Sequence, residues 1–385
     1  MKSYHKKAGI ILMTGLILMF CALTKAQNPI LEEYIREGLE SNQALKQRQL
    51  DYAVNLAALK EAKGLFFPDI SFNARYTLAE GGRMIEFPVG DLLNPVYSTL
   101  NMLTGTDAFP QIENETFPFY RPTEQETKLS LVQPIFNSDL IQNYHIKKQY
   151  TEIARIDVDH YERELIKEIS KAYYEYQKAY NLVALADTSL ALVAENLRVS
   201  QRLFENDKVT VDAVYRSESE LSRVEVQRAR ANNMLEASRA YFNFLLNRDL
   251  GTPVELMMQV PVQPLISLEE ASLQALQNRI ELSQIKEYQQ LNKHLISMHR
   301  GQNIPGLFGV VDYGIQGEDY QVTSEDDFLL ASLVLRWTLF KGAANHQKVQ
   351  QSRIEGEKLE ELYSQTQQQI RLEVINHFYG LQAAY

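Results

Sequence analysis

Apolar and polar residues alternate along this chain with two different periods, and the places where one period gives way to the other divide it into elements. From Asn28 to Lys63 the pattern is that of an amphipathic helix, which the Phe67-Pro68 pair ends. Over 69–78 the period drops to two. Ile70, Phe72, Ala74, Tyr76 and Leu78 fall on one side and Asp69, Ser71, Asn73, Arg75 and Thr77 on the other, which predicts a strand with one apolar and one wet face. A strand over 126–136 is its expected partner, with Thr127, Leu129 and Leu131 opposed to Lys128 and Ser130. Two further strands repeat the alternation. Over 307–316, Leu307, Val311, Tyr313 and Ile315 oppose Asp312, Gly314 and Gln316; over 327–340, Leu329, Ala331, Leu333, Leu335, Trp337 and Leu339 share the odd face.

Residues 137–205 contain neither proline nor glycine and carry a different signal. Leu165, Ile169, Ala172, Tyr176, Ala179, Val183, Ala186, Leu190, Val193, Leu197, Ser200 and Phe204 step by threes and fours, a heptad seam in which only Ser200 is polar. At 1.5 Å per residue a single helix over this run is on the order of 100 Å long. Leu182, Leu185, Leu192 and Val199 widen the stripe on one flank and Ile166, Tyr173, Tyr180 and Ala194 on the other, so this helix expects neighbours on both sides. The run breaks at Asn206-Asp207-Lys208-Val209-Thr210. A return helix is expected over 211–248, with Thr210 as N-cap and Asp212 in its first turn. A linker over 251–267 follows.

The chain then says nearly the same thing again. Leu31-Glu32-Glu33, Leu39, Leu45 and Phe67-Pro68 return as Leu268-Glu269-Glu270, Leu276, Leu282 and Ile304-Pro305, each 237 positions later. Leu129 to Phe136 returns as Leu333 to Phe340, and Tyr173, Tyr174, Gln177 and Tyr180 as Phe378, Tyr379, Gln382 and Tyr385. A period this long implies a duplicated domain-sized unit rather than a solenoid. The first copy covers 27–250 and the second 268–385, with its helix starting at 341. The second copy is expected to be truncated, because the equivalent of Asn181 to Arg248 does not follow Tyr385.

Composition narrows the class. A formal charge of −10 without a basic stripe argues against nucleic acid as a partner. Residues 1–26 read as a cleaved signal peptide: a basic start, an apolar run from Ala8 to Leu23, and Thr24-Lys25-Ala26 before Gln27. The single cysteine, Cys21, lies in that segment. No phosphate loop, HExxH, cysteine cluster or nucleophile elbow is present, no cofactor or metal is implied, and an enzyme is not expected. His294 and His299, five apart, read as solvated helix positions. Between the first two strands, 83–123 is rich in aromatic residues and proline and is expected to be a packed loop. Its counterpart, Glu318 to Asp327, is short and acidic, with Asp319, Glu325, Asp326 and Asp327.

Strands of about ten residues have the length that crosses a bilayer in a tilted barrel. In that setting Phe72, Tyr76, Leu129, Leu131, Val311, Tyr313, Leu333, Leu335 and Trp337 are the candidate lipid-facing residues. Four strands are too few to close a barrel, so membrane strands require several chains. The alternative is a secreted periplasmic coiled-coil scaffold or adaptor whose strands form soluble hairpins.

The duplicated helix-strand-strand-helix order, the Val132-Gln133-Pro134-Ile135-Phe136 stretch, and the tip from Leu203 to Asp212 followed by Arg216, Glu220 and Leu221 together resemble the TolC-type outer membrane efflux family. The resemblance implies a mainly α fold with a small transmembrane β portion: a homotrimer with a 12-stranded β-barrel, four strands per chain, and a periplasmic α-helical tunnel. It implies an outer-membrane channel subunit of a tripartite efflux pump or type I secretion system. Such a subunit docks on a periplasmic adaptor and, indirectly, serves an inner-membrane RND or ABC pump. Asn206, Asp207, Lys208, Val209 and Thr210 correspond to the adaptor-docking tip. The family often has Gly where Asn206 stands, and Asn accommodates the left-handed backbone that Gly supplies there. As written, the chain is expected to leave a gap in the helical wall.

Overall fold

The computed structural model describes residues 28–257, 266–320 and 326–384. The expected leader at 1–26, residues 258–265 of the linker, Glu325 of the acidic loop and Tyr385 lie outside the described residues. The elements are α1 (Pro29–Ser41), α2 (Gln43–Gly64), β1 (Asp69–Leu78), β2 (Met84–Phe87), α3 (Val89–Thr104), β3 (Glu115–Pro118), β4 (Thr123–Phe136), α4 (Ser138–Glu205), α5 (Val211–Leu245), α6 (Leu268–Asn278), α7 (Ile280–Gly301), β5 (Gly306–Gly317), β6 (Asp327–Arg336) and α8 (Ala344–Ala384). Two compact units arise: Met1–Ala57 with Gln149–Leu291 and Gly356–Tyr385, and Ala58–Lys148 with Asn292–Glu355. Each draws on both sequence copies, so the units do not coincide with the division into 27–250 and 268–385.

The duplication is visible in the backbone. α1 and α6 end at Ser41 and Asn278, α2 and α7 at Gly64 and Gly301, each pair 237 positions apart. Phe67 N–H donates to the Gly64 carbonyl at 3.0 Å, and Ile304 N–H to that of Gly301 at 2.9 Å. The helix expected to run from Asn28 to Lys63 is two helices. Asn42 takes an extended backbone, its side-chain oxygen accepts the Leu45 N–H at 3.0 Å, and its amide donates to the Leu245 carbonyl at 2.9 Å. A buried asparagine that caps one helix and bonds another segment fixes a bend that periodicity does not register.

In the helical unit, Leu31, Tyr34, Leu45, Leu165, Ile169, Tyr173 and Phe242 form the centre of the core. The fully buried Tyr173 keeps its hydroxyl satisfied by accepting from Met257 N–H at 2.8 Å and from Asn28 Nδ2 at 3.3 Å. Residues 254–257 are thereby stitched to the core, with Tyr34 accepting the Glu255 N–H and Gln177 donating to the Met257 carbonyl. Farther along α4 the heptad seam turns toward α5. Val214, Ser217, Val224 and Ala231 are buried on the α5 side. Ser200, the polar member of the seam, lies 3.0 Å from the Ser217 hydroxyl, so its polarity is answered across the hairpin. The return helix stops at Leu245 rather than 248, because Asn247 turns left-handed (φ 53°) and the Arg248 N–H caps the Asn243 carbonyl.

The second unit holds one antiparallel sheet in the order β1-β4-β5-β6. The expected pairing of the first two strands holds in register, Asp69 opposite Val132 and Arg75 opposite Glu126. The β4–β5 pairing joins the hairpin of one copy to that of the other, with Leu129 opposite Tyr313. At Gly314 a side chain would collide with the Thr127 carbonyl, so only glycine lets β4 and β5 approach this closely. Several bounds differ from expectation: β4 starts at Thr123 rather than 126, β5 runs Gly306–Gly317 rather than 307–316, β6 ends at Arg336 rather than 340, α4 begins at Ser138 rather than 137 and α8 at Ala344 rather than 341. Pairing of β6 ends at Arg336 because its partner is Gly306, the first residue of β5 after Pro305, so alternation past 336 has no strand to meet. The left-handed Gly342 and Ala343 (φ 58° and 59°) then turn the chain into α8.

The segment expected to be a packed loop is more ordered than that. β2 and β3 pair as a two-stranded ribbon that carries α3 at its tip. Asn94 and Asn101, two turns apart on α3, each exchange two hydrogen bonds with the returning backbone, at Ile112 and Phe109. Gly90 makes the approach possible, since a Cβ there would strike the Ile112 carbonyl.

Candidate functional site

The sheet presents two chemically different faces. Across all four strands, Phe72, Leu129, Tyr313 and Leu329 stand in one row and Ile70, Leu131, Val311 and Ala331 in the next. Leu333 and Leu335 continue that face on β6. Most of these side chains are exposed in the single chain, Leu129 to 50%, Tyr313 to 56% and Leu333 to 69%, while Leu131 is half-buried. Of the nine residues expected to face lipid, eight lie on the strands with this parity. Trp337 lies one residue past β6, where its indole N–H donates to the Asn303 carbonyl at 3.0 Å. Tyr76 stacks on Tyr320, ring centroids 6.0 Å apart, beside the end of β1.

The opposite face is a ladder of alternating charge. Arg75 on β1 is 3.3 Å from Glu126 on β4; Lys128 is 2.9 Å from Glu126 and 3.4 Å from Asp312 on β5. Ser130 completes it by donating to Asp312 at 2.5 Å. Each charge has an opposite neighbour, so the face binds water without accumulating one sign. The ladder depends on the β1–β4 and β4–β5 registers, which alternation within a single strand does not encode. The sheet also ends in two strands, β1 and β6, each paired on one side only.

The other candidate site is the α4–α5 turn. Asp207 takes a left-handed backbone (φ 57°), its N–H reaches the Phe204 carbonyl at 2.9 Å and the Lys208 N–H the Leu203 carbonyl at 2.8 Å. That is a Schellman closure with an aspartate where glycine is usual. The left-handed position is thus Asp207 and not Asn206; Asn206 instead donates its amide to the Arg202 carbonyl at 2.6 Å. Thr210 occupies the N-cap position of α5 through its carbonyl, which accepts the Ala213 N–H, and its hydroxyl makes no cap bond. Asn206, Asp207, Lys208 and Thr210 are exposed and Val209 is half-buried. Just behind the tip, ion pairing with Arg198 and with Arg223 holds Glu195 and Glu220 below the usual carboxylate range.

His294 is not a solvated position. It is half-buried and stacks on His145 at 5.1 Å with the rings 5° from parallel. Burial first, then the neighbouring His145, holds its pKa below the ordinary imidazole value. His299 is also half-buried and lowered, by burial and by Lys348. A spacing of five encodes only that the two do not share a helix face; the contact with His145 comes from α4, far away in sequence. Among the described residues, no group of three or more His, Cys, Asp or Glu is placed to hold a metal ion, and no helix is long and apolar enough to cross a membrane.

Solved structures of outer membrane channels share this arrangement of helices and strands. CusC, described as a transmembrane channel, superposes with a TM-score of 0.75 at 13% identity over 92% of this chain and 76% of its own. The outer membrane protein VceC of Vibrio cholerae gives 0.72 at 12% identity over 92% and 79%. The open state of the Neisseria gonorrhoeae MtrE outer membrane channel gives 0.65 at 15% over 92% and 74%. The fold is that of a TolC-type outer-membrane channel. No protein-family model and no curated protein sequence matches the chain. At 12–15% identity the likeness is one of fold, not of sequence.

Proposed function

We propose that this protein is a subunit of a homotrimeric outer-membrane channel, the passive exit duct of a tripartite efflux pump or type I secretion system. The observation that carries the reading is the two-faced sheet with two half-paired edges. Apolar rows run unbroken across four strands on one face, and a compensated charge ladder runs on the other, as a barrel wall between lipid and water requires. An open sheet edge is untenable in hydrocarbon, where unpaired N–H and C=O groups find no water. Pairing β6 of one copy with β1 of the next satisfies both edges, and three copies give twelve strands.

In this reading Phe72, Tyr76, Leu129, Leu131, Val311, Tyr313, Leu333 and Leu335 contact lipid. Trp337, with an apolar ring and a satisfied indole N–H, sits at the membrane boundary. The helical unit is the periplasmic portion. Asn206 to Thr210 dock a periplasmic adaptor, through which an inner-membrane RND or ABC pump is served. The open flanks of the α4–α5 pair, Leu185, Leu192, Tyr215 and Phe244 among them, support helical neighbours beyond this chain. The duct performs no chemistry and needs no cofactor; work is supplied by the pump.

The test is fractionation of cells followed by mass measurement of the extracted protein. Recovery in the outer membrane as a trimer is expected. Recovery in the soluble periplasm as a monomer would sink the channel and favour a coiled-coil scaffold or adaptor.

A further inference from the structure

The ribbon of β2 and β3 with α3 continues the β1–β4 hairpin past the sheet: Ala79 N–H bonds the Pro122 carbonyl and Phe119 N–H that of Arg83. Between them Gly81 and Gly82 are both left-handed (φ 77° and 102°), which sets the direction in which this arm leaves. β1 enters the sheet from α2 and leaves it into the arm, so the arm stands at the end of the sheet away from α2. A lone two-stranded ribbon is marginal in water, and this one exposes Met84, Phe87 and Phe117.

α3 is amphipathic the wrong way round for a solvated helix. Its polar arc is consumed internally: Asn94 and Asn101 hold the returning backbone, Gln111 donates to Ser98, and Asn114 donates to Asp91. Its apolar arc is bare, with Leu92 65%, Val96 51% and Leu103 77% exposed. On a helical projection these three lie within about 40° of one another, and Asp91 lies about 100° from the nearest of them.

From these observations we infer that α3 is an inter-subunit contact helix: its Leu92-Val96-Leu103 stripe packs against α3 of neighbouring copies at the outer end of the barrel. The inference rests on the trimeric reading above. Charge argues against a membrane surface as the occupant. Residues 84–120 hold no Lys or Arg and five acidic residues, Glu86, Asp91, Asp107, Glu113 and Glu115. Helices that lie on anionic leaflets carry cations beside the apolar stripe. A second copy is favoured by continuity, since the arm springs directly from β1, the half-paired edge strand that a neighbouring subunit joins. Copies tethered in this way meet at an effective concentration of about millimolar, so a modest stripe suffices. Because Asp91 points away from the stripe and is held by Asn114, the apolar faces meet without bringing carboxylates together.

The experiment places a cysteine on the arm of the full chain purified in detergent and treats it with a short bifunctional maleimide. In a Cys21→Ser background, Leu103→Cys and Val96→Cys are expected to give dimer and trimer adducts, and Ser98→Cys, on the hydrogen-bonding arc, and the background chain none. All three positions are exposed, so folding is preserved, and light scattering reports the oligomer independently. A trimer by scattering without adducts from the stripe overturns the contact helix and leaves the channel reading standing. Absence of a trimer overturns both. Contact of Val96→Cys carrying a nitroxide with lipid-borne relaxation agents in anionic vesicles, in place of crosslinking, assigns the stripe to the membrane and also overturns it.

Discussion

Ser130 Oγ donates to Asp312 Oδ1 at 2.5 Å, across the strand pair that joins the two copies of the duplicated unit. Lys128 reaches the same carboxylate at 3.4 Å, so Asp312 is the point where the charge ladder crosses from one copy to the other. Asp312→Ala removes both partners at once. A loss of about 1.5–3 kcal/mol is expected, with Asp312→Asn, which keeps the Ser130 bond, losing less. Guanidinium unfolding of the purified protein measures it, and equal losses for Ala and Asn would show that only charge matters there.

Arginine on the apolar face is the direct probe of lipid. Leu131→Arg and Leu333→Arg are expected to cost roughly 2–4 kcal/mol near the bilayer midplane and to reduce assembled trimer in the outer membrane. Gln316→Arg, on the ladder face of β5, is expected to assemble. Normal assembly of the two leucine variants would contradict lipid contact.

The tip prediction separates docking from folding. Aspartate at Val209 and Thr210 is expected to abolish coupling to an adaptor while trimers still form, because aspartate is itself a good N-cap and leaves the α4–α5 hairpin closed. Unchanged export by that variant would remove Asn206 to Thr210 from the docking surface.

Tyr173→Phe deletes a hydroxyl that two donors share, Met257 N–H and Asn28 Nδ2. Leaving the buried Asn28 amide and the part-buried Met257 N–H unpaired is expected to cost about 1–3 kcal/mol and lower the unfolding midpoint. Tyr180→Phe, an exposed position on the same helix, is the control and should change little.

The lowered imidazoles predict a pH dependence. His294 and His299 resist protonation when folded, so the unfolded chain binds more protons as the pH falls below the ordinary imidazole value of 6.5. Stability is therefore full above that value and declines beneath it, until the folded imidazoles also protonate. Thermal unfolding on either side of 6.5 is expected to show the decline, and His294→Gln with His299→Gln to flatten it. An unaltered slope in the double variant would assign the effect elsewhere.

Local chemistry along the chain determined much of this protein. Period two placed the four sheet strands and gave Phe72, Leu129, Tyr313 and Leu333 a common parity, because side chains alternate across a pleated backbone wherever the strand sits. Steps of three and four placed α4 and its seam, and the repeat announced that the helix pair and the strand pair each occur twice. Tertiary structure decided what depends on residues far apart in sequence. Which strands share an edge emerged only when β4 met β5, and with it the ladder from Arg75 to Asp312. The bend at Asn42 requires the Leu245 carbonyl, the pairing of Ser200 requires Ser217, and the half-buried state of His294 requires His145. The ribbon and α3 escaped a reading by period because their order comes from asparagine side chains bonding a returning backbone, and a hydrogen bond across the chain leaves no periodic trace in it.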